Sequence, residues 1–291
     1  MALRSMLFVP ADSERKLHKG LESRADGLII DLEDAVAPAR KLLARAAAAQ
    51  YIAAQAGSCA AQLYVRINPL DSGLALGDLA AVVVPGLAGV MLPKIHGAAD
   101  VQRLSYYLDA LEARAGMAPG SVRIVPVATE TPAAMVSMGS FAATALPRLA
   151  GMTWGAEDLS TAIGAISNRD NDGGPLSPLY ELAGAMCLCS ASAAGVPAID
   201  TLYADFRDAA GLAAACALSR RRGFKGRIAI HPDQVETINH AFSPSAQERE
   251  RAQRILDAFA AQPEAGTISL DGVMLDIPHL KQAQQTLGLQ A

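Results

Sequence analysis

The chain has 291 residues, which at about 150 residues per domain allows either one large domain with an appendage or two domains. Hydrophobic residues make up 51% of it and aromatic residues only 4%, so we expect an aliphatic, alanine-rich core. The net charge of −4 argues against nucleic acids and anionic membranes as partners, because both need a concentrated positive surface. The chain lacks a signal peptide, an apolar run of membrane-spanning length and cysteine spacing typical of zinc sites, which predicts a reduced protein of the cytoplasm.

Short apolar runs that do not alternate with polar residues recur along the chain. Such runs are typical of strands buried on both faces of a parallel sheet. They occupy residues 5–10, 27–31, 63–67, 89–93, 123–128, 149–154, 197–202 and 227–231. Helical stretches between them include 39–56, 98–115, 176–194 and 204–222. Eight such β–α units predict a (β/α)8 TIM barrel, an α/β fold in which reactive groups gather at the carboxyl ends of the strands.

An open, doubly wound sheet is the competing architecture. Neither GxGxxG nor GxxxxGK[ST] occurs in the chain, so the usual nucleotide-binding signatures of that fold are missing and we favour the barrel. We assign residues 1–242 to the barrel and 243–291 to a C-terminal helical extension. The extension has a predicted helix at 245–262 and a last one from 278. It is too short for a domain, so it packs either on its own barrel or on a neighbouring subunit.

Polar residues follow nearly every predicted strand, and a barrel would collect them at one mouth. Glu130 and Asp158 follow the adjacent fifth and sixth strands. Two carboxylates without histidine or thiolate partners favour a hard cation such as Mg²⁺, with Mn²⁺ as an alternative. The structural alternative is that both residues cap helices, because acidic side chains favour helix N-termini.

Other charged residues lie beside this pair. Glu33 and Asp34, after the second strand, either cap a helix or hydrogen-bond metal-bound waters, and Glu157 is assigned to the same outer position. Lys94, after the fourth strand, is a candidate partner for Glu33, Asp34 or a phosphate. Schiff-base chemistry is disfavoured for Lys94, because the surrounding acidic groups would keep its amine protonated.

An arginine ends the third predicted strand. Buried without an anion, Arg66 would be costly, and its guanidinium suits a carboxylate or a developing oxyanion. An ion pair with a nearby carboxylate is the structural alternative. His231 precedes Pro232 and Asp233 and is interpreted as a structural residue at the end of its strand.

Eight short motifs occur in a fixed order along essentially the whole chain. The motifs are RSMLFVP (4–10), LED (32–34), VRIN (65–68), LPK (92–94), ET (130–131), GAED (155–158), IHP (230–232) and MLD (274–276). That order and spacing resemble those of the citrate lyase β-subunit-like family within the HpcH/HpaI aldolase superfamily.

The resemblance implies a Mg²⁺-dependent lyase on a (β/α)8 barrel that cleaves or forms a carbon–carbon bond in a 3-hydroxyacyl-CoA. Glu130 and Asp158 match the family's metal ligands and Arg66 its substrate-binding arginine; Glu130 and Lys94 are further candidates for substrate contact. The ending at 274–284 looks like that of the citramalyl-CoA lyase branch. There the aspartate matching Asp276 is a catalytic acid/base that acts in a neighbouring subunit, so we expect a homotrimer or hexamer.

The expected substrate is citramalyl-CoA or malyl-CoA, and the products are acetyl-CoA and pyruvate or glyoxylate. A citryl-CoA lyase, acting as the β subunit of citrate lyase and releasing oxaloacetate, is a close alternative. A 2-oxo acid aldolase of the HpcH/HpaI type is a more distant one, because no histidine directly follows the first or second strand. A non-catalytic module that binds CoA esters is the alternative from a different class.

Overall fold

A computed structural model describes residues 3–172 and 174–289. The chain divides into two compact units, one ending at Phe242 and the other beginning at Ser243. Each unit has its own cluster of buried apolar side chains. Within the described residues, no helix combines the length and apolar character needed to cross a membrane.

Parallel strands form the centre of the first unit. They are β1 (Ser5–Pro10), β2 (Gly27–Asp31), β3 (Gln62–Arg66), β4 (Leu87–Leu92), β5 (Arg123–Pro126), β6 (Ile199–Asp200) and β7 (Gly226–Ala229). Their spatial order is β5-β4-β3-β2-β1-β7-β6. Segment 149–153 fills the gap between β5 and β6, because it makes a parallel bridge to β5 on one side and to Ala198 on the other, and Ile199 of β6 donates its N–H to Met152 O. The sheet therefore closes into a barrel, and the predicted TIM-barrel fold is confirmed.

Helices and one 3₁₀ turn connect these strands. They are α1 (Glu14–Glu22), a 3₁₀ turn (Pro38–Arg40), α2 (Lys41–Gln55), α3 (Ala75–Val82), α4 (Ala98–Arg114), α5 (Pro132–Ser137), α6 (Ser140–Ala143), α7 (Glu157–Ala162), α8 (Pro178–Ala193), α9 (Ala209–Arg222) and α10 (Gln234–Ala241). The four helices predicted from the sequence correspond to α2, α4, α8 and α9. Their observed ends differ from the predicted ends by a few residues, as is usual for helix boundaries.

Successive side chains of each strand belong to two different apolar clusters. Met6 and Ile29 lie in a cluster with residues from the other strands, which fills the interior of the barrel. Their neighbours Leu7 and Leu28 belong to a larger cluster shared with the helices. Because both faces of each strand are covered, the sequence shows continuous apolar runs instead of alternation.

The second unit is a helical hairpin that encloses a small β-ribbon. Its antiparallel strands are joined by Asp271 and Gly272, both at positive φ (53° and 75°), as a two-residue type I′ turn requires. Phe259 and Leu275 are buried in its own core. The elements are α11 (Ala246–Ala260), β8 (Thr267–Leu270), β9 (Val273–Asp276) and α12 (Ile277–Thr286).

Candidate active site

Charged residues of the first unit lie at the carboxyl ends of neighbouring strands. Asp31 is the last residue of β2, Arg66 is the last of β3, and Lys94 follows β4 by two residues. Glu130 follows β5, and Asp158 lies in the first turn of α7, after segment 149–153. Because parallel strands of a barrel end on the same rim, these residues share one mouth.

The guanidinium of Arg66 is held by the neighbouring strand. β2 and β3 pair with Asp31 opposite Arg66, and the Arg66 Nε and Nη2 atoms donate to the two Asp31 carboxylate oxygens at 2.7 and 2.6 Å. Arg66 Nη1 lies 3.0 Å from Glu33 Oε2, and the Phe8 ring lies 4.6 Å from the guanidinium carbon. Burial alone would lower the pKa of Arg66. The Asp31 and Glu33 carboxylates outweigh that effect and raise the pKa above its usual value, so Arg66 stays charged. Its orientation is thus fixed within the protein.

The Lys94 ammonium contacts carboxylates from two other segments of the rim. Its Nζ atom lies 2.5 Å from Glu33 Oε1, 2.9 Å from Asp34 Oδ2 and 3.3 Å from Asp158 Oδ1. Burial lowers the pKa of Lys94, but hydrogen bonds to Glu33 and Asp34 more than offset that effect and raise it. The ammonium therefore links the loops after β2 and before α7.

Glu130 is the most deeply buried candidate metal ligand, with 5% of its surface exposed. Its Oε2 atom accepts a hydrogen bond from the backbone N–H of Lys94 at 2.6 Å. Burial, and to a smaller extent the negative charges of Asp158 and Glu33, together raise the pKa of Glu130 to about 8. Gly155 lies close beside it, since a Cβ there would be 3.4 Å from Glu130 Cγ.

Glu130 does not cap the helix that follows it. The N-cap of α5 is Thr131, whose hydroxyl accepts from Ala134 N at 3.0 Å. Asp158 and Glu157 both lie in the first turn of α7, but the Asp158 carboxylate contacts Lys94, whereas Glu157 is exposed. The Glu130 carboxylate is therefore available at the mouth, and Asp158 faces the same cluster.

Two supporting residues were not singled out from the sequence. Lys41 Nζ donates to the backbone oxygens of Leu32 and Glu33, both at 2.7 Å, and to Asn68 Oδ1 at 2.8 Å. Phe8, beneath Arg66, is the other. A lysine at the start of a helix carries no sequence signal for such a role, whereas Phe8 could have been placed by the two-residue period of β1.

The mouth contains more carboxylates than cations. The acidic groups are Asp31, Glu33, Asp34, Glu130 and Asp158, and the basic ones are Arg66, Lys94 and Lys41. No set of three or more His, Cys, Asp or Glu side chains in the described part of the chain forms a ready metal cage. Mg²⁺ needs no such cage, because it commonly binds through one or two carboxylates, waters and substrate oxygens. The all-oxygen donor pair Glu130 and Asp158, in a site with excess negative charge, fits such an ion.

The remaining candidates, His231 and Asp276, have contacts of their own. His231 stacks on Phe206, with ring centroids 4.6 Å apart, and accepts from Asp233 N at 3.3 Å, which agrees with a structural interpretation. Asp276 belongs to the second unit, where it is the N-cap residue of α12. Its Oδ1 atom lies 2.5 Å from His279 Nδ1, and 45% of its side chain is exposed.

Comparison with known proteins identifies the family and the relatives of the chain. Residues 4–232 match the HpcH/HpaI aldolase/citrate lyase family. The chain belongs to this family. It is 34% identical over 288 residues to the citrate lyase subunit beta of Haemophilus influenzae, covering 98% of this chain and 95% of that protein. It is also 34% identical over 287 residues to the (3S)-malyl-CoA thioesterase of Cereibacter sphaeroides, covering 98% and 93% of the two chains.

A solved structure shows the same fold along the full chain. The CitE protein of Mycobacterium tuberculosis, in complex with magnesium, acetoacetate and coenzyme A, has a TM-score of 0.78 and 32% sequence identity. The match covers 99% of this chain and 97% of that one. The family resemblance inferred from the motifs is therefore confirmed.

Proposed function

We propose that this family member is a Mg²⁺-dependent carbon–carbon lyase for a 3-hydroxyacyl-CoA of the malyl-CoA or citramalyl-CoA type. The products are acetyl-CoA and glyoxylate or pyruvate. The observation that carries the proposal is the buried Glu130 and the neighbouring Asp158 on the same rim as a fixed Arg66. The magnesium, acetoacetate and coenzyme A bound by the M. tuberculosis relative support the same ligand chemistry here.

Glu130 and Asp158 are the residues that would hold the divalent cation, Mg²⁺ or alternatively Mn²⁺. When bound, such an ion supplies Lewis acidity that stabilises negative charge on the hydroxyl and carboxylate oxygens of the substrate. Glu33, Asp34 and Glu157 are proposed as outer residues that accept hydrogen bonds from waters at the site. Of these, Glu33 is buried and Glu157 is exposed.

Arg66 stabilises the oxyanion that develops as the carbon–carbon bond breaks. Because Asp31 already fixes the guanidinium, little reorganisation is needed when charge develops, which is the condition for effective electrostatic catalysis. Lys94 stays protonated and adds positive charge for the substrate carboxylate.

Asp276 is proposed to protonate the carbon of the departing acetyl-CoA enolate, or to remove that proton in condensation. The resemblance of residues 274–284 to the citramalyl-CoA lyase branch supports this role, and it also supports action across the subunits of a homotrimer or hexamer. Mixing inactive Arg66→Ala and Asp276→Asn proteins should then restore activity through mixed sites. Failure of every mixture to regain activity would contradict action across subunits.

The decisive test is a turnover panel with malyl-, β-methylmalyl-, citramalyl- and citryl-CoA, with Mg²⁺ and with EDTA. We expect release of acetyl-CoA (propionyl-CoA from β-methylmalyl-CoA) and a 2-oxo acid from malyl- or citramalyl-CoA, and loss of turnover in EDTA. Cleavage of citryl-CoA alone would favour the citrate lyase β-subunit alternative, which the H. influenzae relative supports. Metal-independent cleavage would refute the assignment of the cation.

Thioester hydrolysis is a second candidate, because the C. sphaeroides malyl-CoA thioesterase is as similar as the citrate lyase subunit. The two reactions differ in products. Hydrolysis gives free CoA and malate, whereas lysis gives acetyl-CoA and glyoxylate. A thiol reagent present during turnover of malyl-CoA detects free CoA only, so its signal separates the two reactions.

A further inference from the structure

Lys94 has a backbone conformation that its side chain disfavours. Its φ is 50°, a left-handed value shared within the described residues by two other non-glycine residues, Arg24 and Asp271. In this region the Cβ atom crowds the following carbonyl oxygen, so only glycine adopts it routinely. Asp271 lies in a tight hairpin turn, which explains its value; Lys94 follows Pro93 at the active-site rim.

Lys94 contacts the candidate metal ligands from both its backbone and its side chain. The N–H group holds Glu130 Oε2 at 2.6 Å, and Nζ lies 3.3 Å from Asp158 Oδ1. The same Nζ atom is anchored at 2.5 Å by Glu33 Oε1 and at 2.9 Å by Asp34 Oδ2. Because φ sets the direction of the N–H relative to the side chain, the left-handed backbone is what allows one residue to make both sets of contacts.

We propose that Lys94 is a positioning residue: its ion pairs hold the backbone in the left-handed region, and that conformation keeps the N–H on Glu130. Glu130 is then fixed in the orientation that a divalent cation requires. This inference rests on the proposed function, because it takes Glu130 and Asp158 as the metal ligands. It assigns Lys94 a role in building the metal site, in addition to the substrate contact expected from the sequence.

Lys94→Gly and Lys94→Ala form a matched pair for the test. Both lose the ammonium, so both change the charge of the site equally. Only glycine can keep φ near 50° without crowding, whereas alanine retains the Cβ and has no ion pairs to hold it there. We therefore expect Lys94→Ala to bind Mg²⁺ roughly 5- to 30-fold more weakly than Lys94→Gly, measured by isothermal titration calorimetry on the full chain.

Three further variants keep the result interpretable. Lys94→Met retains the Cβ and the apolar stem, so this variant should bind Mg²⁺ as weakly as Lys94→Ala. It takes the place of Lys94→Ala in the test if the alanine protein does not fold. Arg24 is exposed, precedes β2 at the opposite end of the barrel and also has a left-handed backbone (φ 59°). Arg24→Ala and Arg24→Gly should both bind Mg²⁺ as the wild type does.

Each outcome decides the question. Equal Mg²⁺ affinity of the alanine and glycine variants at position 94, or tighter binding by alanine, would overturn the positioning role while leaving the proposed function intact. If Arg24→Ala bound Mg²⁺ more weakly than Arg24→Gly by the same factor, the positioning role would also be overturned. The difference at position 94 would then reflect a general loss of stability. If the wild-type protein binds no Mg²⁺, the proposed function fails and this inference fails with it.

Discussion

Two buried glutamates at opposite ends of the same barrel have pKa values that are shifted in opposite directions. Glu130, at the carboxyl ends of the strands, has a pKa raised to about 8 by burial and by neighbouring carboxylates. Glu112, on α4, is also buried, yet its pKa is lowered to about 2. Burial raises the pKa of Glu112 as well, but two hydrogen bonds from Arg148 at 2.6 and 2.7 Å and backbone N–H groups from Gly120 and Val122 more than offset it.

The difference lies in the partners that each carboxylate has within the chain. Glu112 is fully matched by Arg148, so its charge stabilises the fold and is not offered to a ligand. Glu130 receives one backbone hydrogen bond from Lys94 and faces like charges, so its negative charge lacks a full internal match. A buried carboxylate without a full internal partner is thus a candidate for binding a ligand, as proposed for Glu130, whereas the fully paired Glu112 serves the fold.

The largest expected effect is on turnover. Glu130→Ala should abolish metal-dependent cleavage of the acyl-CoA substrate, a loss of roughly 10³-fold or more, because the Lewis acid contributes several kcal/mol. Steady-state kinetics with Mg²⁺ measures it, and a cooperative thermal transition confirms that the variant is folded. Full activity of the variant with metal removed would rule out Glu130 as a ligand.

A large loss of stability is expected at the other glutamate. Arg148→Met leaves the Glu112 carboxylate buried without its counter-ion, so we expect a loss of about 3–5 kcal/mol in the free energy of unfolding. Urea denaturation measures this loss. Asp109→Asn removes the partly exposed second partner of Arg148 and should cost under about 1 kcal/mol. Turnover per folded molecule should be unchanged in both variants.

The raised pKa of Glu130 also predicts how stability depends on pH. The folded protein without metal binds a proton at Glu130 up to pH about 8, whereas the unfolded chain releases it near 4.5. Glu130 therefore makes stability fall as pH rises between these values, by at most about 1.4 kcal/mol per pH unit. Glu130→Gln should remove this contribution, as urea denaturation at pH 5, 6, 7 and 8 in EDTA would show. Identical pH profiles for the two proteins would contradict the raised pKa.

The smallest effect concerns the space around Glu130. A Cβ at Gly155 would lie 3.4 Å from Glu130 Cγ and 3.5 Å from its Oε1, close to ordinary contact. Gly155→Ala should therefore weaken Mg²⁺ binding only about twofold, equivalent to roughly 0.5 kcal/mol. Gly139→Ala, where a Cβ meets open space, is the control and should leave binding unchanged. A tenfold loss in Gly155→Ala would show that the site is packed more tightly than these distances indicate.

Much of the fold could be predicted from the sequence, because strands covered on both faces must be apolar throughout. Segment 149–153 was identified in this way, although in the structure it pairs only through isolated bridges. The second strand of the C-terminal ribbon, β9, was not predicted, since its Val273 and Met274 are exposed and do not form a buried run. The strand order follows from the predicted barrel and is confirmed, whereas the register between strands, which depends on tertiary packing, was beyond the sequence.

The residues of the candidate site could be predicted from the sequence more readily than the contacts between them. Strand-end positions identified Glu130, Asp158 and Arg66 as candidates because a barrel collects such positions at one rim. The bidentate pairing of Arg66 with Asp31 depends on the register between two strands, which single residues do not encode. The left-handed backbone of Lys94 could not be predicted either, because the position holds neither glycine nor asparagine, the residues that usually indicate this conformation.

The way in which segment 149–153 joins the barrel has a dynamic consequence. β6 is only two residues long, and segment 149–153 pairs on both sides only through isolated bridges, so it lacks the continuous ladders that join β2 to β1 and β3. Local opening begins where such cross-links are sparse. Amide hydrogens here should exchange with deuterium sooner than those of β2 and β3. Because Asp158 follows shortly after this segment, in the first turn of α7, a cation bound by Asp158 would restrain the segment and slow that exchange.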